Sequence, residues 1–153
     1  MSRYFPLFVN LEGKQILVYG AGTIATRRME SLLEFGCEIT VISPEVSQEV
    51  AVWAEQGKIS LRKERYFQGQ IPEDVFLVLA ATNDADVNRT IAKECKNRQI
   101  PVNVCSEKEL CDFYFPGLAI KEDVVVGITA GGANHRLARE VTEKVRKYLL
   151  ENI

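Results

Sequence analysis

The sequence predicts an α/β fold, a parallel sheet covered by helices on both faces, from three observations. Apolar strand-like runs alternate with helical periodicity over residues 15–105. A G-x-G-x-x-A run, Gly20-Ala21-Gly22-Thr23-Ile24-Ala25, stands at the first strand-to-helix junction. Val75-Phe76-Leu77-Val78-Leu79-Ala80 is continuously apolar, as a strand buried on both faces must be.

Residues 15–19 read as the first strand and 23–35 as a helix with Ile24, Met29, Leu32 and Leu33 on one stripe. Residues 38–42 complete a β-α-β unit, and Gly36 is placed to stop the helix. Ser43-Pro44-Glu45 is expected to start a second helix running through Val46, Val50 and Trp53 to residue 56. Residues 59–62 form a short strand and 68–72 a loop. After the strand at 75–80, Asn83 or Asp84 caps a helix in which Val87, Ile91 and Cys95 recur every four residues, and 101–105 is the next strand. Beyond Ser106 the pattern changes to two strands, 112–120 and 124–129, joined by the polar turn Lys121-Glu122-Asp123. A last helix over 134–151 carries Leu137, Val141, Val145 and Leu149 on one face, a stripe that needs the sheet or a second subunit to cover it. The expected organisation is therefore a Rossmann-like domain over 1–111 and an antiparallel hairpin with a helix over 112–153.

The composition, 46% hydrophobic and 26% charged over 153 residues, is that of a folded globular chain. A net charge of -2 excludes the basic footprint of a nucleic-acid binder and points to a small-molecule partner. No apolar run approaches the ~20 residues of a membrane span. Met1-Ser2-Arg3-Tyr4-Phe5-Pro6 lacks the apolar core of a secretion signal, so the cytoplasm is expected. Cys37 and Cys95 fall in apolar periodic segments as buried thiols, whereas Cys105 and Cys111 lie close together where a catalytic loop is expected.

In the glycine run, Gly20 permits a tight turn, Gly22 lets backbone approach a pyrophosphate, and Ala25 lets the helix pack closely on the strand. The anion would sit on the unpaired N–H groups at the positive end of the helix. The second strand ends in Ser43 where a carboxylate usually holds the ribose, so ribose contacts fall to Ser43, Glu45 or backbone. Arg27 and Arg28 suit a 2′-phosphate, an acidic substrate or a solvated helix face, which leaves NADP open beside NAD. Ligands of such sheets lie beyond the carboxyl ends of the strands, which selects Thr82, Asn83 and Asn103 as cofactor contacts, with helix capping the alternative for Asn83. His135, the one histidine, is a proton carrier or a solvent-facing first-turn residue, and a single imidazole makes no metal site. Asp112, followed by Phe113-Tyr114-Phe115, is a base if buried against them and a solvated carboxylate otherwise.

Taken together these segments resemble the precorrin-2 dehydrogenase family, the NAD-dependent module of siroheme synthases. Tyr4-Phe5-Pro6-Leu7-Phe8-Val9-Asn10-Leu11 is similar to that family's opening strand, and residues 20–28 to its phosphate loop and first helix. Ala80-Ala81-Thr82-Asn83-Asp84, Asn88, Asn103-Val104, residues 113–116 and Gly131-Gly132 before Leu137-Ala138-Arg139 match its later blocks. The resemblance implies oxidation of precorrin-2 to sirohydrochlorin with NAD as hydride acceptor, iron insertion in some members, and a homodimer formed through the region after the nucleotide domain. It places Thr23, Ile24, Ser43, Pro44 and Glu45 on the cofactor beside Gly20 and Gly22. Three departures stand out. Ser106 occupies the place of a family carboxylate, Asn134-His135 replaces Ser-Pro, and a further helical domain common in the family does not follow within the 153 residues. Ser106 is expected to bind substrate while Asp112 or His135 takes the proton. The rival readings are a catalytically weak nucleotide-binding regulatory module and a sirohydrochlorin metallochelatase or tetrapyrrole carrier.

Overall fold

A computed structural model describes residues 3–153; Met1 and Ser2, part of the N-terminal stretch read for targeting, lie outside the described residues. Two compact units are present, one formed by Asn10–Phe113 and the other by Tyr114–Ile153 with residues 3–9.

The larger unit runs β1 (Gln15–Tyr19), α1 (Thr23–Leu33), β2 (Glu38–Ile42), α2 (Gln48–Glu55), β3 (Ser60–Arg62), β4 (Val75–Ala80), α3 (Ala85–Asn97) and β5 (Val102–Val104). All five strands are parallel in the order β3-β2-β1-β4-β5, which is the doubly wound arrangement expected. Strand alternation divides the core. Leu17, Tyr19, Ile42, Val78, Ala80, Val102 and Val104 share a cluster with Ile91, Ala92 and Cys95 of α3. The alternate residues Ile16, Val18, Val41 and Leu79, equally buried, face the opposite side, where α1 contributes Ala25, Met29 and Leu32. Full burial of a side chain such as Ile91 stabilises the fold by about 2 kcal/mol.

Polar side chains hold the connections to this core. Glu94, itself buried, accepts from the Tyr66 hydroxyl at 2.5 Å and the Gly69 N–H at 3.2 Å. Arg98 donates to the carbonyls of Ile71 at 2.6 Å and Pro72 at 3.1 Å, so α3 clasps the long β3–β4 connection. The outer edge of β5 is covered by the chain that follows it. Asp112 N–H donates to Val102 O at 2.8 Å, and Val102 N–H donates to the Asp112 carboxylate at 3.0 Å.

In the smaller unit β6 (Gly117–Lys121) and β7 (Val124–Ile128) form an antiparallel hairpin, and α4 (His135–Asn152) lies against it. The turn narrows to Glu122-Asp123, with Glu122 at φ 51°. Asn134 caps α4 by accepting the Leu137 N–H at 2.9 Å. A Cβ at Gly117 would lie 2.1 Å from Thr142 Oγ1, so glycine permits the close approach of hairpin and helix. Arg146 Nε donates to Leu118 O at 2.8 Å across the same contact.

Three expected boundaries are corrected. The second helix begins at Gln48 rather than at Ser43, because the Ser43 hydroxyl donates to Glu45 O at 2.6 Å and bends the chain, while Ser47 provides the cap. Residues 4–11 carry no strand, and the hairpin starts at Gly117 rather than 112, because Asp112 is fastened to β5 and Pro116 lacks the N–H that pairing needs.

Burial holds the Cys95 thiol up from 9.0 to about 12, with the Glu94 carboxylate adding to the rise, and raises Tyr19 and Tyr66 as well. Above pH 9 the unfolded thiol ionises while the folded one keeps its proton, so the folded state binds more protons and stability falls as pH rises. Melting temperature measured by circular dichroism should therefore be steady below pH 9 and decline progressively toward pH 12. A melting temperature flat across that window would contradict the buried, neutral arrangement.

Candidate functional site

The carboxyl ends of the strands meet at the turn after β1. Gly20 has φ +99°, and a Cβ built there would lie 2.2 Å from Ala81 O and 2.9 Å from Thr82 N. The turn thus presses against the end of β4, where only glycine fits in both conformation and space. Its N–H donates to Ile42 O at 3.0 Å, fixing it to β2 as well. Gly22 then occupies the N-cap of α1 with no side chain to cap the helix, and a Cβ there would meet nothing within 4 Å. Thr23 and Ile24 are exposed beside it, and α1 carries no acidic residue in its first turn. An uncapped helix start, opening on clear space at the seam where strand order reverses between β1 and β4, is built to take a diphosphate. The residues present fit a dinucleotide.

The remaining expected contacts divide into exposed and engaged groups. Ser43 is buried in its turn, with Pro44 and Glu45 exposed beyond it. Thr82 is half-buried and Asn83 exposed after β4, and it is Asp84 that caps α3, accepting the N–H groups of Asp86 at 2.9 Å and Val87 at 3.2 Å. Asn103 is buried with its carboxamide engaged by the protein. Its Oδ1 accepts from the Arg28 guanidinium and its Nδ2 donates to Phe113 O at 2.8 Å. Arg28 is accordingly half-buried, and burial draws its guanidinium below the usual range, with Cys105 and Cys111 partly opposing that shift. Arg27 is exposed.

Ser106 is exposed just past β5 and accepts a hydrogen bond from Asn88 Nδ2 at 3.2 Å. Glu107 beside it is bound by Arg89. Asp112 is exposed rather than sealed against the aromatic run, with its carboxylate on the Val102 N–H. Ser106 and Asp112 belong to the larger unit, whereas His135 opens α4 in the smaller one, exposed. Among the described residues no group of three or more His, Cys, Asp or Glu side chains is placed to hold a metal ion. Asn88 carries no motif of its own; the signal that marks it is an amide on the buried face of a helix, one turn after the cap.

A protein-family profile described as putative NAD(P)-binding matches residues 7–117. The chain belongs to that family. Among similar proteins, this NAD(P)-binding chain is 38% identical over 144 residues to a probable multifunctional siroheme biosynthesis protein of Ruminiclostridium josui, covering 94% of the chain and 28% of that protein. It is 34% identical over 137 residues to a siroheme synthase of Nitrosococcus oceani, covering 90% of the chain and 29% of that protein. The chain thus spans less than a third of these relatives. A solved structure titled SirC, precorrin-2 dehydrogenase superposes with a TM-score of 0.81 at 29% identity, covering 96% of this chain and 74% of that one.

The two glycines should separate binding from folding. Gly20→Ala should cost about 2–3 kcal/mol of stability, from a strained φ and a backbone clash, together with dinucleotide binding. Gly22→Ala should leave the melting temperature within a degree or so yet weaken NAD at least about tenfold in calorimetry, because its Cβ enters the space a phosphate needs. Equal NAD affinity in Gly22→Ala and the parent would contradict the placement.

Proposed function

We propose that this chain is an NAD-dependent dehydrogenase that oxidises precorrin-2 to sirohydrochlorin in siroheme biosynthesis. The observation that carries the reading is the uncapped start of α1 behind Gly20, in a chain whose superposition on a precorrin-2 dehydrogenase covers nearly its whole length. Gly20, Gly22, Thr23 and Ile24 hold the diphosphate; Pro44, Glu45 and the Ser43 turn receive the adenosine ribose; Thr82 and Asn83 flank the cofactor from β4. Asn103 supports the site from behind, since its carboxamide ties α1 to the end of β5. NAD supplies the hydride acceptor when bound, and one proton leaves the substrate with the hydride.

Ser106 binds the substrate through its hydroxyl. Of the two groups expected to take the proton, His135 is preferred to Asp112, whose carboxylate accepts the Val102 N–H. NAD is preferred over NADP, because Arg28 is turned into the protein and held by Asn103. The working form is a homodimer in the cytoplasm. Phe5, Leu7 and Phe8 are 87%, 76% and 74% exposed, and Leu137 and Val141 are exposed on α4 of the same unit. Apolar side chains exposed together on one unit suit a second copy of the same chain. The four thiols, all unpaired, suit a reducing compartment.

One observation favours a second reading, a nucleotide-binding regulatory module: Ser106 is no base, and the neighbouring Glu107 is bound by Arg89.

Anaerobic incubation with precorrin-2 should yield NADH absorbance and the sirohydrochlorin spectrum with NAD, and much less product with NADP. NAD binding without turnover would overturn the dehydrogenase in favour of the regulatory module. His135→Ala should lower kcat by about a hundredfold with NAD affinity unchanged; an unaltered kcat would remove His135 from the reaction. Leu137→Glu should shift the sedimentation coefficient from dimer to monomer, and a parent that already sediments as a monomer would refute the dimer.

A further inference from the structure

Asn88 stands one turn into α3 with its side chain 0% exposed, a polar group sealed entirely inside the protein. Its orientation is fixed by backbone. Oδ1 accepts the Thr82 N–H at 3.0 Å, and Nδ2 donates to Thr82 O at 3.1 Å. An N–H is only a donor and a carbonyl only an acceptor, so the amide cannot be reversed without breaking both bonds. Oδ1 also receives the Thr82 hydroxyl at 2.7 Å. The second Nδ2 proton therefore points away from Thr82, toward the end of β5, where it meets Ser106 Oγ at 3.2 Å with Cys105 Sγ at 4.0 Å.

This geometry joins two strand ends through one side chain. Thr82 follows β4 and Ser106 follows β5, and β4 and β5 are adjacent in the sheet. It also constrains Ser106. Because the Asn88 N–H takes one lone pair of the serine oxygen, the hydroxyl proton does not point back at Asn88, and the exposed hydroxyl keeps that proton free to donate to a ligand. An acceptor on the ligand, such as a carboxylate of an acidic substrate, is what such a donor recognises.

We infer that Asn88 is a positioning residue of the proposed dehydrogenase: it sets the β4–α3 turn at Thr82 and anchors the Ser106 oxygen so that the hydroxyl proton is left to the substrate. The inference rests on the dehydrogenase reading for the identity of the substrate, but the Asn88–Ser106 coupling stands on this chain's geometry.

Two arms test it. In the first, the side-chain amide signals of Asn88 are followed by NMR in the parent and in Ser106→Ala, with no turnover required. One Asn88 proton should shift and exchange faster in Ser106→Ala while the Thr82 amide stays in place; an unmoved pair would overturn the inference. The second is a kinetic cycle with Asn88→Asp, Ser106→Ala and the double variant. An aspartate keeps the acceptor for Thr82 but, when ionised, offers no donor to Ser106. Each single variant should raise KM for precorrin-2 about fivefold to tenfold, and the double should be no worse than Ser106→Ala. Independent, multiplying losses would show a merely structural Asn88 and overturn it. Should Asn88→Asp fail to fold, the NMR arm decides, because it needs only the exposed Ser106 substitution. Absence of turnover in the parent would count against the dehydrogenase reading and leave that arm to judge the coupling.

Discussion

The site depends on a single steric constraint, the contact between the turn at Gly20 and the end of β4 at Ala81. Strands β1 and β4 run side by side with Tyr19 opposite Ala80, so the chain leaving β1 must turn within the width of its neighbour's backbone. With a Cβ position only 2.2 Å from Ala81 O, any side chain would force the turn off the sheet. The start of α1 would then move away from the seam between β1 and β4. Because the N-terminal end of a helix acts on an anion over short range, a small displacement would disperse the binding site even if the sheet survived.

Around that contact, several side chains whose chemistry suggests ligands serve the protein itself. Asn103 links Arg28 to Phe113 O, Asp112 completes the edge of β5, and Ser43 closes its own turn. Glu94 and Asn88 do the same on α3, one clasping the β3–β4 connection and the other the strand ends. The consequence is a set of strand ends cross-linked by polar side chains, most of them buried, while Ile24, Glu45, Asn83 and Ser106 remain exposed.

The parallel sheet, its helices and the glycine turn were legible in the sequence because each obeys a local rule: apolar periodicity for the strands and helices, and a steric requirement for the turn. Two kinds of feature were not. Boundaries were displaced where a side chain competed with regular structure, as Ser43 and Asp112 did. Partners far apart in the chain, such as Arg28 with Asn103 or Asn88 with Ser106, are joined only by the strand order, which no local pattern encodes. Thus Asn103 reads as a cofactor contact by its place at a strand end, and the fold gives it other work.

Dinucleotide binding at the start of α1 is tested most directly by titrating NAD into isotopically labelled protein and mapping the backbone amide shifts. The largest changes should fall at Gly20, Gly22, Thr23 and Ile24, with smaller ones at Glu45, Thr82 and Asn83. Saturable binding whose shifts fall on α2 or α4 and leave residues 20–24 unmoved would contradict it.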